Sequence, residues 1–252
     1  MRKYTKIVGA LAAASALVAG NASAEIEGQV QVGYATEYEF RFVDLGSDLI
    51  EAGVDLSYAL NENWGLKAGA WYGSTNDNYG SFNELDLYAA VGTSVGPVDI
   101  ELGYIYYWFP DAPGTSDTQE VYASAFVDAG FGISAGATFF YDFDANNGWY
   151  LQPELRKSFE FNECLSLNLS VGAGFADGLD TQVDTDLFST GSADGFQGWF
   201  VKAELPWEFR EGVTLSPYIK YADADSGLAG DVNSLQGGQE HLIGGVKLAV
   251  GF

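Results

Sequence analysis

The stretch from Gln239 to Phe252 reads with a period of two. Leu242, Gly244, Val246, Leu248, Val250 and Phe252 share one face, and His241, Ile243, Gly245, Lys247, Ala249 and Gly251 share the other. A strand with apolar residues on one side and small or polar residues on the other belongs either to a half-buried soluble sheet or to a barrel whose outer face meets lipid. An aromatic last residue on the apolar face favours the second, and the remainder of the chain decides between them.

The N-terminus points to export. Arg2, Lys3 and Lys6 precede an apolar run from Ile7 to Gly20, and Ala22-Ser23-Ala24 supplies a small-x-small cleavage pattern. We expect residues 1–24 to be a cleaved signal peptide and residues 25–252 to be the mature barrel, starting at Glu25. The run is too short to cross a bilayer as a helix, and no later stretch is long and apolar enough to do so. A chain of this composition enters a membrane only as a closed barrel, because every backbone polar group must then be paired internally.

The formal net charge is −24 at pH 7, and loss of the three basic residues of the leader makes the mature chain more acidic still. Nucleic acid is therefore excluded as a partner. Acidity of this order often accompanies disorder, but 47% hydrophobic and 15% aromatic residues describe a folded chain. Cys164 is the single cysteine, so no intramolecular disulfide is possible.

Twelve two-faced segments follow one another: Gln29–Phe42, Leu49–Leu60, Trp64–Gly73, Glu84–Val95, Val98–Phe109, Glu120–Ala129, Phe131–Phe143, Trp149–Phe161, Leu165–Phe175, Trp199–Phe209, Val213–Tyr221 and His241–Phe252. Every second connection is tight: Asn61–Asn63, Gly96-Pro97, Gly130, Asn162–Cys164 and Arg210–Gly212. The alternate ones are longer and polar: Ser74–Asn83, Pro110–Gln119, Asp144–Gly148, Ala176–Gly198 and Ala222–Glu240, with Val43–Asp48 the short exception. Loop lengths segregated by parity fit an all-β, antiparallel, up-and-down transmembrane barrel of about 12 strands with both termini on the short-turn side. A soluble sandwich has no reason to sort its loops this way.

Aromatic residues gather towards segment ends, at Tyr38, Phe40, Phe42, Trp64, Tyr72, Trp149, Trp207 and Phe209, and are expected to face outward as two interfacial girdles. The opposite face collects charge. The acids expected to line the interior are Glu37, Glu39, Glu51, Asp55, Glu84, Asp86, Asp99, Glu101, Glu120, Asp128, Asp142, Glu154 and Glu204, and the bases are Arg41, Lys67, Arg156, Lys202, Lys220 and Lys247; Glu160, Glu208 and Arg210 fall on the same face. So many ionisable groups cannot form a dry core, so the interior is wet or heavily paired. If it is wet, the excess of acids gives it a negative potential that concentrates cations. Inward Trp71, Tyr88, Tyr107, Phe109, Tyr122, Phe126 and Phe140 add bulk that narrows the passage. The two readings are a pore for small cationic or neutral solutes and a barrel plugged by its own side chains that serves as an adhesin or envelope component.

A family resemblance rests on four stretches. Tyr38-Glu39-Phe40-Arg41, Glu84-Leu85-Asp86-Leu87-Tyr88-Ala89, Ile105-Tyr106-Tyr107-Trp108-Phe109-Pro110 and Glu120-Val121-Tyr122 resemble the succession in small exported porin-like proteins of the TorF type. In that family an aromatic-x-aromatic-Arg run is followed closely by Gly, whereas here Phe42 intervenes and Gly46 comes later. The resemblance implies an outer-membrane barrel with a transport role. Leu248, Val250 and the terminal Phe252 resemble the signal read by the barrel-assembly machinery, which with outer-membrane lipids makes up the expected partners; oligomeric state stays open.

No catalytic centre is expected. A lipid hydrolase needs a Ser–His pair facing the membrane, and the chain has one histidine, His241, on the inward face. No cofactor and no metal site are expected either. Asp142, Asp144 and Asn146 have oxygen ligands at alternate positions, but Asn147 stands where a calcium-binding loop requires Gly and Pro153 where it requires Glu. The pairs Asp184/Asp186 and Asp223/Asp225 read as solvated acidic loops.

Overall fold

The computed structural model describes residues 26–77, 80–110, 117–179, 194–225 and 240–252. The expected signal peptide and Asp184 with Asp186 lie outside the described residues. The described chain forms β1 (Ile26–Phe40), β2 (Val43–Ala59), β3 (Trp64–Asp77), β4 (Gly80–Val95), β5 (Val98–Trp108), β6 (Thr118–Gly130), β7 (Ile133–Asp142), β8 (Trp149–Asn162), β9 (Leu165–Asp177), β10 (Gly195–Glu204), β11 (Trp207–Arg210), β12 (Val213–Ala224) and β13 (Glu240–Gly251). Each pairs antiparallel with its sequence neighbours, save that β10 and β11 do not pair with each other. β13 returns to β1 with Gln29 opposite Gly251 and Ala35 opposite Gly245, which closes the sheet.

The barrel has 12 staves, because β10 and β11 are two halves of one. Both lie between β9 and β12. Leu205-Pro206 separates them, since proline has no N–H to give the ladder and restricts the residue before it. The neighbours compensate: Leu205 N–H donates to Pro217 O at 2.9 Å, and Ser166 N–H donates to Pro206 O at 3.2 Å.

The outer face is apolar along every stave, with Val32, Ile50, Leu87, Leu102, Leu155, Val201, Ile219 and Leu242 exposed. Trp64, Phe131, Phe159, Phe161, Trp207 and Phe209 ring the end that carries the termini; Tyr72, Trp108, Phe143 and Trp199 ring the other. Amphipathic rings are most stable at such boundaries between apolar and wet surroundings. Phe252 continues β13 beyond its last paired residue. Its N–H donates to Gly28 O at 2.8 Å, Gly28 N–H donates to Phe252 O at 2.9 Å, and its ring lies over the bare Cα of Gly28.

Three boundaries depart from the sequence expectation. β3 and β4 run on as a hairpin through most of Ser74–Asn83, whose polar composition reads as loop but whose backbone stays paired to Asp77 opposite Gly80. Phe131 is not the start of a strand: it sits at φ 55° between Gly130 and Gly132 and is 93% exposed. Most consequentially, β2 begins at Val43 rather than Leu49, so that β1 and β2 join through the two-residue turn Arg41-Phe42. Both turn residues have positive φ, 53° and 71°, the conformation of the tight hairpin turn that matches strand twist and usually takes Asn or Gly.

The same region overturns one face assignment. Tyr38, Phe40 and Phe42 were expected in the outer girdle. Tyr38 and Phe42 are buried and Phe40 packs against the interior clusters. The register shifts between Glu37 and Glu39, with three steps on β2 from Ser47 to Asp44 against two on β1, and a bulge of this kind bends the hairpin and sharpens its twist. Beyond it the hairpin bends into the barrel, where both of its faces are covered.

The outer face generates a depth-dependent prediction. Val171, exposed in the middle of β9, is a lipid-facing position near mid-bilayer, and Val250 is one near the rim. Val171→Arg should cost about 2–4 kcal/mol and Val250→Arg about 0–1 kcal/mol, measured by denaturant titration of the barrel in lipid vesicles with tryptophan fluorescence as the readout.

Candidate functional site: the lumen and the hairpin inside it

Alternation along the staves sends one side chain in two to the interior, and the charged ones meet there in pairs. Lys67 of β3 contacts Glu101 of β5, which also accepts the Tyr122 hydroxyl at 2.7 Å. Arg156 and Glu154 pair along β8 at 2.8 Å, and Lys202 and Glu204 along β10 at 2.6 Å. Lys247 of β13 reaches Glu51 of β2 at 3.1 Å, and Glu51 accepts the Trp71 indole N–H at 2.7 Å. Lys220 pairs with Glu39 and His241 with Glu37, both acids on the inward-bent end of β1. Lys67, Arg156, Lys202, Lys220 and Lys247 are thus all engaged with carboxylates, whereas Arg210 lies exposed near the short-turn rim.

The remaining acids have neutral partners. Asp55 takes the Tyr88 hydroxyl, and Glu84 takes the Tyr38 hydroxyl at 2.6 Å. Asp86 is fully buried beside Glu84. Asp99 accepts the Ser94 hydroxyl at 2.5 Å near the short-turn rim. Asp128 is exposed and accepts the Gly130 N–H at 2.7 Å, so it serves the turn rather than the wall. Asp142, at the long-loop end of β7, accepts the Thr118 hydroxyl and the Asn146 side-chain N–H, each at 2.7 Å, together with the Asp144 N–H at 3.0 Å. Its oxygens thus fold the β7–β8 loop. Among the described residues no cluster of three or more His, Cys, Asp or Glu side chains is disposed to hold a metal ion.

Across this lumen lies the tip of the β1–β2 hairpin. Arg41 reaches the inner face of β6, where Nη1 and Nη2 donate to the two oxygens of Glu120, each at 2.7 Å. Its guanidinium carbon lies 4.8 Å from the ring centre of Phe140 on β7 and 4.7 Å from those of Tyr150 on β8 and Phe40 on the tip itself. Tyr107 of β5 completes the seat by donating its hydroxyl to Glu120 at 2.9 Å. A bidentate pair with a planar cation between aromatic faces is among the stronger polar contacts available inside a protein.

Phe42 closes the other side. It is 1% exposed and lies against Phe200 of β10, with ring centres 6.5 Å apart. Gly174 of β9 and Gly198 of β10 make room for it: a Cβ on either would stand 2.5 Å and 2.7 Å from a Phe42 ring carbon. Val43, Ile105, Tyr107, Phe140, Tyr150 and Phe200 pack with it in one buried cluster, and Tyr38, Leu49, Trp71 and Ile243 form a second. The hairpin tip thus bridges β1 and β2 to β5 through β10 across the lumen.

Sequence reasoning missed Tyr38, Phe42 and Tyr150 as interior residues of this seat. One signal was present: Val43–Asp48 is a short connection on a side where most are long, and it lies beside an arginine in an aromatic run. Gly174→Val should push Phe42 from its niche and free the tip. Limited trypsin digestion in detergent would then cut after Arg41 faster than in the wild-type protein, where the guanidinium is clamped, while the heat-modifiable migration of the folded barrel on gels is retained.

The architecture has solved counterparts. An outer-membrane channel from Pseudomonas putida F1 superposes with a TM-score of 0.55 at 10% identity, covering 92% of this chain and 97% of that one. The KdgM porin matches with a TM-score of 0.51 at 10% identity over 87% and 97% of the two chains, and the NanC porin with 0.51 at 12% identity over 88% and 98%. At these identities the likeness is one of fold: a closed 12-stranded antiparallel barrel of the outer-membrane porin type. No curated protein sequence matches the chain. The family model that matches spans residues 19–229, and the chain belongs to that family, the bacterial proteins of unknown function called Gcw_chp.

Proposed function

We propose that this protein is an outer-membrane channel for passive diffusion of small solutes, cation-preferring when open, and that it reaches that membrane by export with a cleaved leader. The observation that carries the reading is the wall of ionisable groups inside a closed barrel. Side chains such as Glu51, Glu101, Glu154, Lys202 and Lys247 line the interior and are held as ion pairs. A dry interior would favour apolar residues of similar volume at these positions, since replacing buried ion pairs by well-packed hydrophobic groups is often neutral or stabilising. The fold shared with the porins and the TorF-type resemblance support the same reading.

Cation preference follows from the acids whose partners are neutral. With the six bases of the wall each matched by a carboxylate, Asp55 and Asp99, whose partners are neutral hydroxyls, leave the lumen negative. The field of a wet passage acts over a Debye length of about 8 Å at physiological salt, so selectivity should be strong in dilute salt and weaken in concentrated salt. In planar bilayers a KCl gradient should give a reversal potential of cation-selective sign, reduced by Asp55→Asn with Asp99→Asn. An anion-selective sign would refute the charge assignment.

A second reading is favoured by the packing of Phe42, Val43 and Tyr150: a permanently closed barrel acting as an adhesin or structural envelope protein. Absence of any conductance from verified folded protein, with or without release of the tip, selects it.

A further inference from the structure

The seat that receives Arg41 is built by the barrel wall, independently of the hairpin that occupies it. Glu120 comes from β6, Tyr107 from β5, Phe140 from β7 and Tyr150 from β8, four consecutive staves whose inward side chains converge. Glu120 presents both oxygens to a planar fork and is itself oriented by the Tyr107 hydroxyl. Phe140 and Tyr150 supply ring faces at stacking distance from the cation. These are the requirements of guanidinium recognition and not of a compact ammonium: two parallel N–H···O bonds, flat aromatic cover and low hydration.

The occupant is held at a cost. Arg41 and Phe42 both adopt left-handed backbone conformations, at φ 53° and 71°, which a residue with a side chain rarely takes. Strain of this kind persists where surrounding contacts over-determine it. Here those contacts are the guanidinium seat on one side and the glycine niche of Phe42 on the other. An element under strain and fastened by one bidentate pair is displaceable by a ligand that reproduces the pair. Removing Arg41 without replacement leaves the buried Glu120 carboxylate without its cation, so the replacing ligand must be cationic.

We propose that Glu120, Tyr107, Phe140 and Tyr150 form a guanidinium-binding site in the lumen, that Arg41 occupies it as a tethered ligand which keeps the hairpin tip in the passage, and that solutes bearing a guanidinium group compete for it and release the tip. The binding site stands on the wall geometry alone; the release of a passage rests on the channel reading above. It gives the cation preference a more specific form, in which the favoured solute is the one that opens its own path.

Two measurements separate these parts. Calorimetric titration of the folded Arg41→Gln barrel in detergent with methylguanidinium should show saturable binding at millimolar concentration, tighter than methylammonium by roughly tenfold because only the planar ion makes both bonds. The binding should disappear when Glu120→Gln is added. In bilayers, methylguanidinium should raise the open probability of the wild-type channel several-fold where methylammonium does not. The Arg41→Gln channel should be open without either. If Arg41→Gln fails to fold, Arg41→Lys takes its place, and methylguanidinium should then open that channel at lower concentration than it opens the wild type. Equal effects of the two cations, or binding unaffected by Glu120→Gln, overturn the site. Selective binding without conductance in any variant leaves the site standing and overturns the channel.

Discussion

Everything in this molecule depends on closure between its first and last strands. A sheet whose outer face meets lipid has no water to satisfy a free edge, and each unpaired backbone group there is costly. The ladder from Gln29 opposite Gly251 to Ala35 opposite Gly245, extended by the reciprocal bonds of Gly28 and Phe252, removes both edges at once. Once the ring is closed, one face of every stave is committed to lipid and the other to an enclosed volume. The acidity of the chain then has only the lumen and the loops to occupy.

That enclosed volume is organised by charge in one part and by aromatic packing in another. Along much of the wall, bases and acids meet within a stave or on neighbouring and alternate ones. At the level of the hairpin tip the balance changes: one guanidinium is clamped by Glu120, and the surrounding groups are rings. The cost of this arrangement is spread over a bulge on β2 opposite Glu37 and Glu39, two left-handed residues, and two glycines on the opposite wall. Each is a local departure from ideal strand geometry, and all of them converge on a single pair of side chains.

The architecture was legible in the sequence because the period of two survives intact wherever one face is apolar and the other is not. Segments such as Val98–Phe109 and Leu165–Phe175 read directly, and loop parity gave the topology. The β3–β4 extension was not legible: Ser74, Thr75, Asn76 and Asn83 carry turn-like composition, and their backbone pairing comes from the hairpin rather than from an apolar face. The tip was illegible for a different reason. Inside the lumen both faces of Tyr38–Val43 are covered, so alternation carries no information there, and a bulge bends the hairpin. Its partner Glu120 is 79 residues away, a distance that only the closed ring brings into contact.

The hairpin tip also orders events in time. Arg41 and Phe42 are made early in the chain, but their contacts belong to β5 through β10, up to Phe200, and none of these walls stands until the ring is nearly complete. Contacts this distant in sequence form late, after the loops between them have closed. The tip therefore cannot be seated before the ring has brought those staves opposite β1. Under the proposed release, a ligand that frees the tip returns the barrel to the arrangement it has when the ring is closed and the tip is not yet in place.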